Sequence, residues 1–373
     1  MPTAIFRHPD CARHDMGDWH PESPSRLQAI DDQLIRARID DLVEARRAPA
    51  ASVEAIRRNH TETALAIVRD HLPEEGAEPY PIDGDTLLCA HSYAAALAAA
   101  GAAIAATDAV LAGDIDNAFC AIRPPGHHAR PGEPMGFCLF NNVAVAARHA
   151  MAVHGLERIA IVDFDVHHGN GTAESFRDDP RVLMASFYQY PLFPCTEPEP
   201  LSATHVNVPV KAGSGGDVVR ALVQEQWLPA LHAHRPQMIF VSAGFDAHRD
   251  DELGGMQLVE ADYAWLTHQV MDVAREHAGG RIDIAEQGTR GPGRGHRYHH
   301  RRGRLRLVQP DRQQQQPGND QYRGQQTPPQ PFMGTPDRTA SLRCAHDAIP
   351  KSIDIRQCLD VRHSPGPHRL HLH

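Results

Sequence analysis

The 373-residue chain has no uninterrupted run of about 18 apolar residues, and its start, Met1-Pro-Thr-Ala-Ile-Phe-Arg-His8, lacks the basic-then-apolar layout of a signal peptide. A membrane span is therefore not expected, and a cytoplasmic location is the default expectation. The seven cysteines (Cys11, Cys89, Cys120, Cys138, Cys195, Cys344 and Cys358) are odd in number and show no Cys-x-x-Cys spacing, which speaks against a disulfide framework and against a thiolate zinc site. Basic charge is in short supply too. Lys and Arg number 37 against 47 Asp and Glu, and the formal net charge of -10 argues against holding nucleic acid by general electrostatics. Any metal must then be held by His and carboxylate side chains.

What is present divides in two. Up to Ile282 the text is mixed and core-forming. From Asp283 to His373 it turns rich in Arg, His, Gln, Pro and Gly, with Tyr298, Tyr322 and Phe332 as its only aromatics. The expected organisation is a globular domain over 1–282 and a low-complexity tail over 283–373.

Within the first part, short apolar runs predict buried strands at 118–122, 159–164, 182–187, 206–210 and 238–242. Helical stretches are expected at 92–111, 142–154, 217–234 and 260–277. Their alternation is the pattern of an α/β fold with a central parallel sheet covered on both faces. Ligands of such sheets bind beyond the carboxyl ends of the strands. Three predicted strands run there into unusually polar text: Arg123-Pro-Pro-Gly-His127-His128, Asp163-Phe-Asp165-Val-His167-His168-Gly-Asn170, and Ser242-Ala-Gly-Phe-Asp246-Ala-His248.

If the second segment continues as a strand, alternation places Asp163, Asp165 and His167 on one side. Two carboxylates and an imidazole so close are costly unless a cation lies between them. Asp246, after Gly244 and Phe245, is placed to add a carboxylate, so that Asp165, His167 and Asp246 form an oxygen, nitrogen and oxygen shell with positions left for water and substrate. His248 reads as structural or as a rim residue. His127 and His128 offer imidazoles for general base work, with Asp163 and Asn170 as candidates to orient them.

These segments, with Gly136-Phe-Cys-Leu-Phe-Asn-Asn142 and His20-Pro-Glu-Ser-Pro-Ser-Arg-Leu27, resemble the histone deacetylase family. They look most like its bacterial class II members, the histone-deacetylase-like amidohydrolases and acetylpolyamine amidohydrolases. The resemblance implies the arginase/deacetylase fold and a zinc-dependent amidohydrolase acting on an acetylated protein or a small acetylated amine, without nucleic acid or membrane partners; a homo-oligomer is compatible with it. It implies Zn2+ (Fe2+ and Co2+ suit the ligand set too) on Asp165, His167 and Asp246, with His127 oriented by Asp163, and His128, oriented by Asn170, as general base. It implies an acyl tunnel at Gly136 and Phe137 with Phe193 opposite, and a structural K+ at Asp163, Asp165, His167, Ser186 and Phe187. Arg26 resembles an arginine of an inner product channel, and Asp83 or Asp85 would grip substrate at the rim.

One family feature is missing. The resemblance leads to a tyrosine, in a stretch like Leu-Glu-Gly-Gly-Tyr, shortly after Gly279-Gly-Arg-Ile282, and none stands there; Tyr298 comes several residues late. Loss of the motif and the change of composition coincide, which points to a reading-frame shift near residue 283, the alternative being a genuine Gln/Pro/Arg-rich extension. Either way the sheet is expected to lack its last elements. Two further readings stay open: an acetyl-amine-binding protein without turnover, and an arginase-like hydrolase with two metal ions.

Overall fold

The computed structural model describes residues 3–17, 19–199 and 202–288. Ten strands occur among the described residues: β1 (Thr3–Arg7), β2 (Glu44–Arg47), β3 (Tyr80–Pro81), β4 (Leu87–Leu88), β5 (Asn117–Cys120), β6 (Ile159–Asp163), β7 (Val182–Gln189), β8 (His205–Val210), β9 (Met238–Gly244) and β10 (Ile282–Gly288). Apart from the β3–β4 hairpin they form one sheet in the order β2-β1-β5-β10-β9-β6-β7-β8, and every pairing in it is parallel. The helices are α1 (Ser25–Ala37), α2 (Val53–Arg57), α3 (Glu62–Asp70), α4 (Ser92–Ala112), α5 (Asn142–His154), α6 (Asn170–Phe176), α7 (Gly216–Leu222), α8 (Leu228–His234) and α9 (Glu260–His277).

Strand alternation divides the core into two layers. On β6, Ile159 and Ile161 face the layer that holds α4 and α5, while Ala160 and Val162 face the layer of α1, α8 and α9. β9 divides likewise, with Met238 and Phe240 against Ile239, Val241 and Ala243. Burial on both faces explains why these strands read as unbroken apolar runs. The helix expected over 217–234 is interrupted. A π-helical turn at Val223–Trp227 joins α7 to α8 just before Pro229, whose ring nitrogen has no N–H for a regular helical bond. This turn buries Trp227, which stacks on Phe187 at 5.7 Å and donates from Nε1 to the Ser186 carbonyl.

Two expectations need correction. By length and composition α4 would pass for a membrane span, although no uninterrupted apolar run stands out in the sequence. Some 67% of its apolar window is buried inside the fold, where its alanines pack on the sheet. The sheet also does not stop at Ile282. β10 continues to Gly288 between β5 and β9, so that the residues from Asp283 to Gln287 are buried in its centre. Residues 289–373, including Tyr298, lie outside the described residues.

Candidate active site

The carboxyl ends of β5, β10, β9 and β6 stand side by side, and each delivers part of one cluster. β6 ends at Asp163, so Asp165 and His167 sit in bends beyond the strand rather than on its continuing face. Backbone amides fold that segment. Asp163 Oδ1 accepts from the Asp165 amide at 3.1 Å, Asp165 Oδ1 from the His167 amide at 2.8 Å, and Asp246 Oδ1 from the Val166 amide at 2.8 Å. The carboxylates thereby shape the loop while their other oxygens remain for the site.

Asp165 Oδ1 and Asp246 Oδ2 each lie 3.0 Å from His167 Nδ1. Each of the three residues offers a donor atom within 4.8 Å of the others, so they could hold one metal ion. Burial alone would push His167 down, but the Asp246 carboxylate and hydrogen bonds to both carboxylates carry it up to about 10. Burial, with Asp165 adding like charge, pushes Asp246 above the usual carboxylate range. Two nearly dry carboxylates around one imidazole fit a divalent cation, which would relieve this repulsion. Gly244 leaves room for the arrangement, since a Cβ there would stand 2.1 Å from Asp165 Oδ2.

The two histidines after β5 differ. His127 Nδ1 donates to Asp163 Oδ2 at 3.0 Å. Burial would lower it, but Asp165 and Asp163 outweigh burial and raise it above the ordinary histidine value. His128 Nδ1 donates to Asn170 Oδ1 at 2.8 Å, an orientation of the amide supported by Asn170 Nδ2 donating to Met135 Sδ. That tautomer leaves the lone pair on His128 Nε2. Burial, then the neighbouring His127 and His167, push His128 well below the ordinary value, which favours its neutral form.

Gly136, at φ +57°, closes on the same place: a Cβ would lie 2.6 Å from His128 Cδ2 and 2.8 Å from Phe193 Cε1. Phe193 meets His128 edge to face at 4.9 Å. Gly136 and Phe193 are thus brought together beside the base, whereas the Phe137 ring packs on His20 at 4.6 Å. Asp83 Oδ1 is occupied by the amides of Asp85 and Thr86. Asp85 is half-buried and pushed up to about 6 by burial and Asp83, with His167 pulling the other way, so of the two it is the one within electrostatic reach of the centre. Asp163 and Ser186 are register partners, and Ser186 Oγ donates to Asn207. His248 is buried, accepts the Asp250 amide at Nδ1 and lies apart from the cluster of donors, which makes it structural.

Gln287 and Glu286 had no readable signal, whereas Arg26, expected as a channel arginine, is found in a buried ion-pair network. Gln287 Oε1 accepts the amides of Gly126 and His127, each at 2.9 Å; a register shift between Glu286 and Gly288 accompanies its turn toward that loop. Its place in the presumed tail concealed it. Arg26 lies fully buried between Glu22 and Glu286, while Arg123 grips Glu22 with both nitrogens of its fork and the carbonyls of Cys11 and His14. Glu22 stood within a quoted motif, but nothing local announced its partners.

The chain matches the histone deacetylase domain over residues 20–288. It is similar to a histone deacetylase-like amidohydrolase of Pseudomonas aeruginosa, at 40% identity over 278 residues, 72% of each chain. It is also similar to a probable deacetylase of Archaeoglobus fulgidus, at 36% identity over 299 residues, 77% of this chain and 81% of that one. Among solved structures, the HDA15 HD domain superposes with a TM-score of 0.71 at 31% identity, covering 78% of this chain and 84% of the other. The match begins at His20, in the wall of the site, and ends with β10, whose Gln287 supports the His127 loop; the chain belongs to the histone deacetylase family of hydrolases.

Proposed function

We propose that the chain is a zinc-dependent deacetylase that hydrolyses the acetyl amide of an N-acetylated amine, in a protein or a small molecule. The observation that carries this reading is the pairing of an Asp165–His167–Asp246 donor set with a neutral His128 whose free Nε2 is fixed by Asn170. Asp165, His167 and Asp246 would hold the zinc, which when bound would supply Lewis acidity for the amide carbonyl and the attacking water. His128 Nε2 takes the proton of the attacking water and returns it to the departing amine nitrogen, which closes the proton balance. His127, held through Nδ1 by Asp163, is the second imidazole beside the reacting groups, with its Nε2 toward Asp165. Gly136 lets Phe193 close against His128, where the resemblance implies the acyl tunnel, and Asp85 is the candidate to grip substrate at its rim.

The test is hydrolysis of acetyl-lysine peptides and N-acetylpolyamines by the full-length chain, with a hydroxamate as control. Hydroxamate-sensitive release of acetate supports the enzyme; its absence with every substrate, in protein loaded with zinc, sinks it. One observation favours a second reading. The residues after β10 are Thr289-Arg-Gly-Pro292, with no tyrosine to hold the oxyanion. A missing oxyanion donor costs about 10²- to 10³-fold in rate. Tight hydroxamate binding with no turnover would identify an acetyl-amine-binding protein instead.

A further inference from the structure

Away from the catalytic end, the last turns of α8 and α9 bring His232, Glu276 and His277 together. His232 Nδ1 and His277 Nε2 face each other at 2.9 Å. Glu276 presents Oε2 at 3.5 Å to the first and Oε1 at 3.4 Å to the second. Ligand atoms about 2.0–2.1 Å from a tetrahedral zinc stand roughly 3.3 Å apart, so this triangle has the span of one face of such a site. The catalytic donors, at 3.0 Å, show the same spacing.

Proton positions allow coordination. Among the described residues no protein group donates to the remote nitrogens, His232 Nε2 and His277 Nδ1, so each imidazole is free to carry its proton there and turn a lone pair toward the carboxylate. The contrast with Asp108, His149 and His154 is instructive, because there Arg58 donates to His149 Nδ1. This forces the His149 proton onto Nε2, where it faces Asp108, and the hydrogen bonds close with no lone pair to spare. The position of the α8–α9 cluster also favours a cation, since it lies at two helix C-termini, the negative ends of their dipoles. α8 leads into β9 and α9 into β10, which places the cluster at the amino edge of the sheet. A seven-residue strand, about 20 Å long, separates that edge from Asp246.

We infer that His232, His277 and Glu276 form a second, surface zinc site that clamps α8 to α9, with water as the remaining ligand. It ties together the helices that precede the two central strands, so its occupancy stabilises the fold without entering the reaction. Full-length protein stripped by chelation and titrated with Zn2+ against a chromophoric competitor tests this. Wild type should bind two equivalents, and His232→Ala, His277→Ala and Asp165→Ala one each. Zn2+ should raise the melting temperature of Asp165→Ala, and that rise should disappear when His277→Ala is added. His232 is 43% exposed, so its replacement spares the fold, and acetyl-amine hydrolysis by His232→Ala should equal wild type. An Asp165→Ala chain that takes up no zinc overturns the inference. So does an equivalent that survives both histidine replacements, which would locate it elsewhere, for example in the run His296 to His300.

Discussion

Thr107 has one hydroxyl proton and two oxygens in reach, the Ala103 carbonyl at 2.8 Å and Asp283 Oδ2 at 3.1 Å. The Thr107 hydroxyl is shared between the two acceptors, and Asp283 Oδ1 accepts the Cys120 thiol, so the carboxyl receives two hydrogen bonds in the middle of the sheet. Burial pushes it up to about 7, against the two hydrogen bonds.

The sign of the pH dependence follows. The folded state binds the Asp283 proton more tightly than the unfolded chain, whose aspartate titrates near 3.8. This contribution to stability is complete below that value, falls as pH rises toward about 7 and is constant above it. Asp283→Asn keeps the shape of the side chain and an acceptor oxygen for Cys120 but cannot ionise. The variant should equal wild type at low pH and exceed it at pH 8 by on the order of a few kcal/mol. Urea unfolding of both proteins from pH 5 to 8 gives the difference directly, and parallel curves would contradict an Asp283 carboxyl raised by burial.

Asn170 controls the base. In wild type the acid limb of kcat/KM should lie below the ordinary histidine range, because His128 is buried beside His127 and His167. Asn170→Asp keeps the acceptor but adds negative charge, so the limb should move to higher pH. Asn170→Ala should lower kcat by about 10- to 100-fold, the usual cost of losing an orienting partner, with zinc content unchanged. An unmoved limb in Asn170→Asp would remove His128 from the role of base.

Gly244 offers a test of the donor set. The Cβ of Gly244→Ala would overlap Asp165 Oδ2, so metal affinity at the catalytic donors should fall about 10- to 100-fold while the strand remains paired. Chelator competition reads the change. Asp165→Ala should abolish both that metal and turnover, and full activity in Asp165→Ala would refute the assignment.

Glu286 tests where the domain ends. It is buried beyond the compositional break and pairs with Arg26, which keeps Glu22 as a second partner. Breaking a buried ion pair costs about 3–5 kcal/mol, and the remaining carboxylate should hold Glu286→Ala near the lower figure. Thermal unfolding measures it. A variant as stable as wild type would mean that β10 is not part of the folded core.

Much of this was legible along the chain because the signals are local. The strands β6 and β9 lie under unbroken apolar text, and α5 and α9 occupy the residues that their pattern predicted. The donors Asp165, His167 and Asp246 were readable because polar residues at strand ends have few other reasons to be there. β1 and β2 were not. The first is short, and the second, Glu44-Ala-Arg-Arg47, is a polar edge strand without an apolar face to mark it. β10 was missed for another reason: Asp283, Glu286 and Gln287 make it read as a surface segment, since nothing in the text shows that Thr107, Arg26 and the Gly126–His127 amides await them.

The sequence by itself determined the parallel α/β plan, the donor set and the tandem histidines, for these depend on periodicity and on residue type at strand ends. The resemblance already implied how the two histidines are oriented, and the tertiary structure supplied the contacts, Asn170 meeting the His128 ring and Asp163 the His127 ring. The tertiary structure alone seated the polar strand β10 at the centre of the sheet, where groups 160 to 260 residues away in sequence meet Asp283, Glu286 and Gln287. The polar turn that follows Ile282 proved to be the continuation of a buried strand, because burial depends on partners and not on composition.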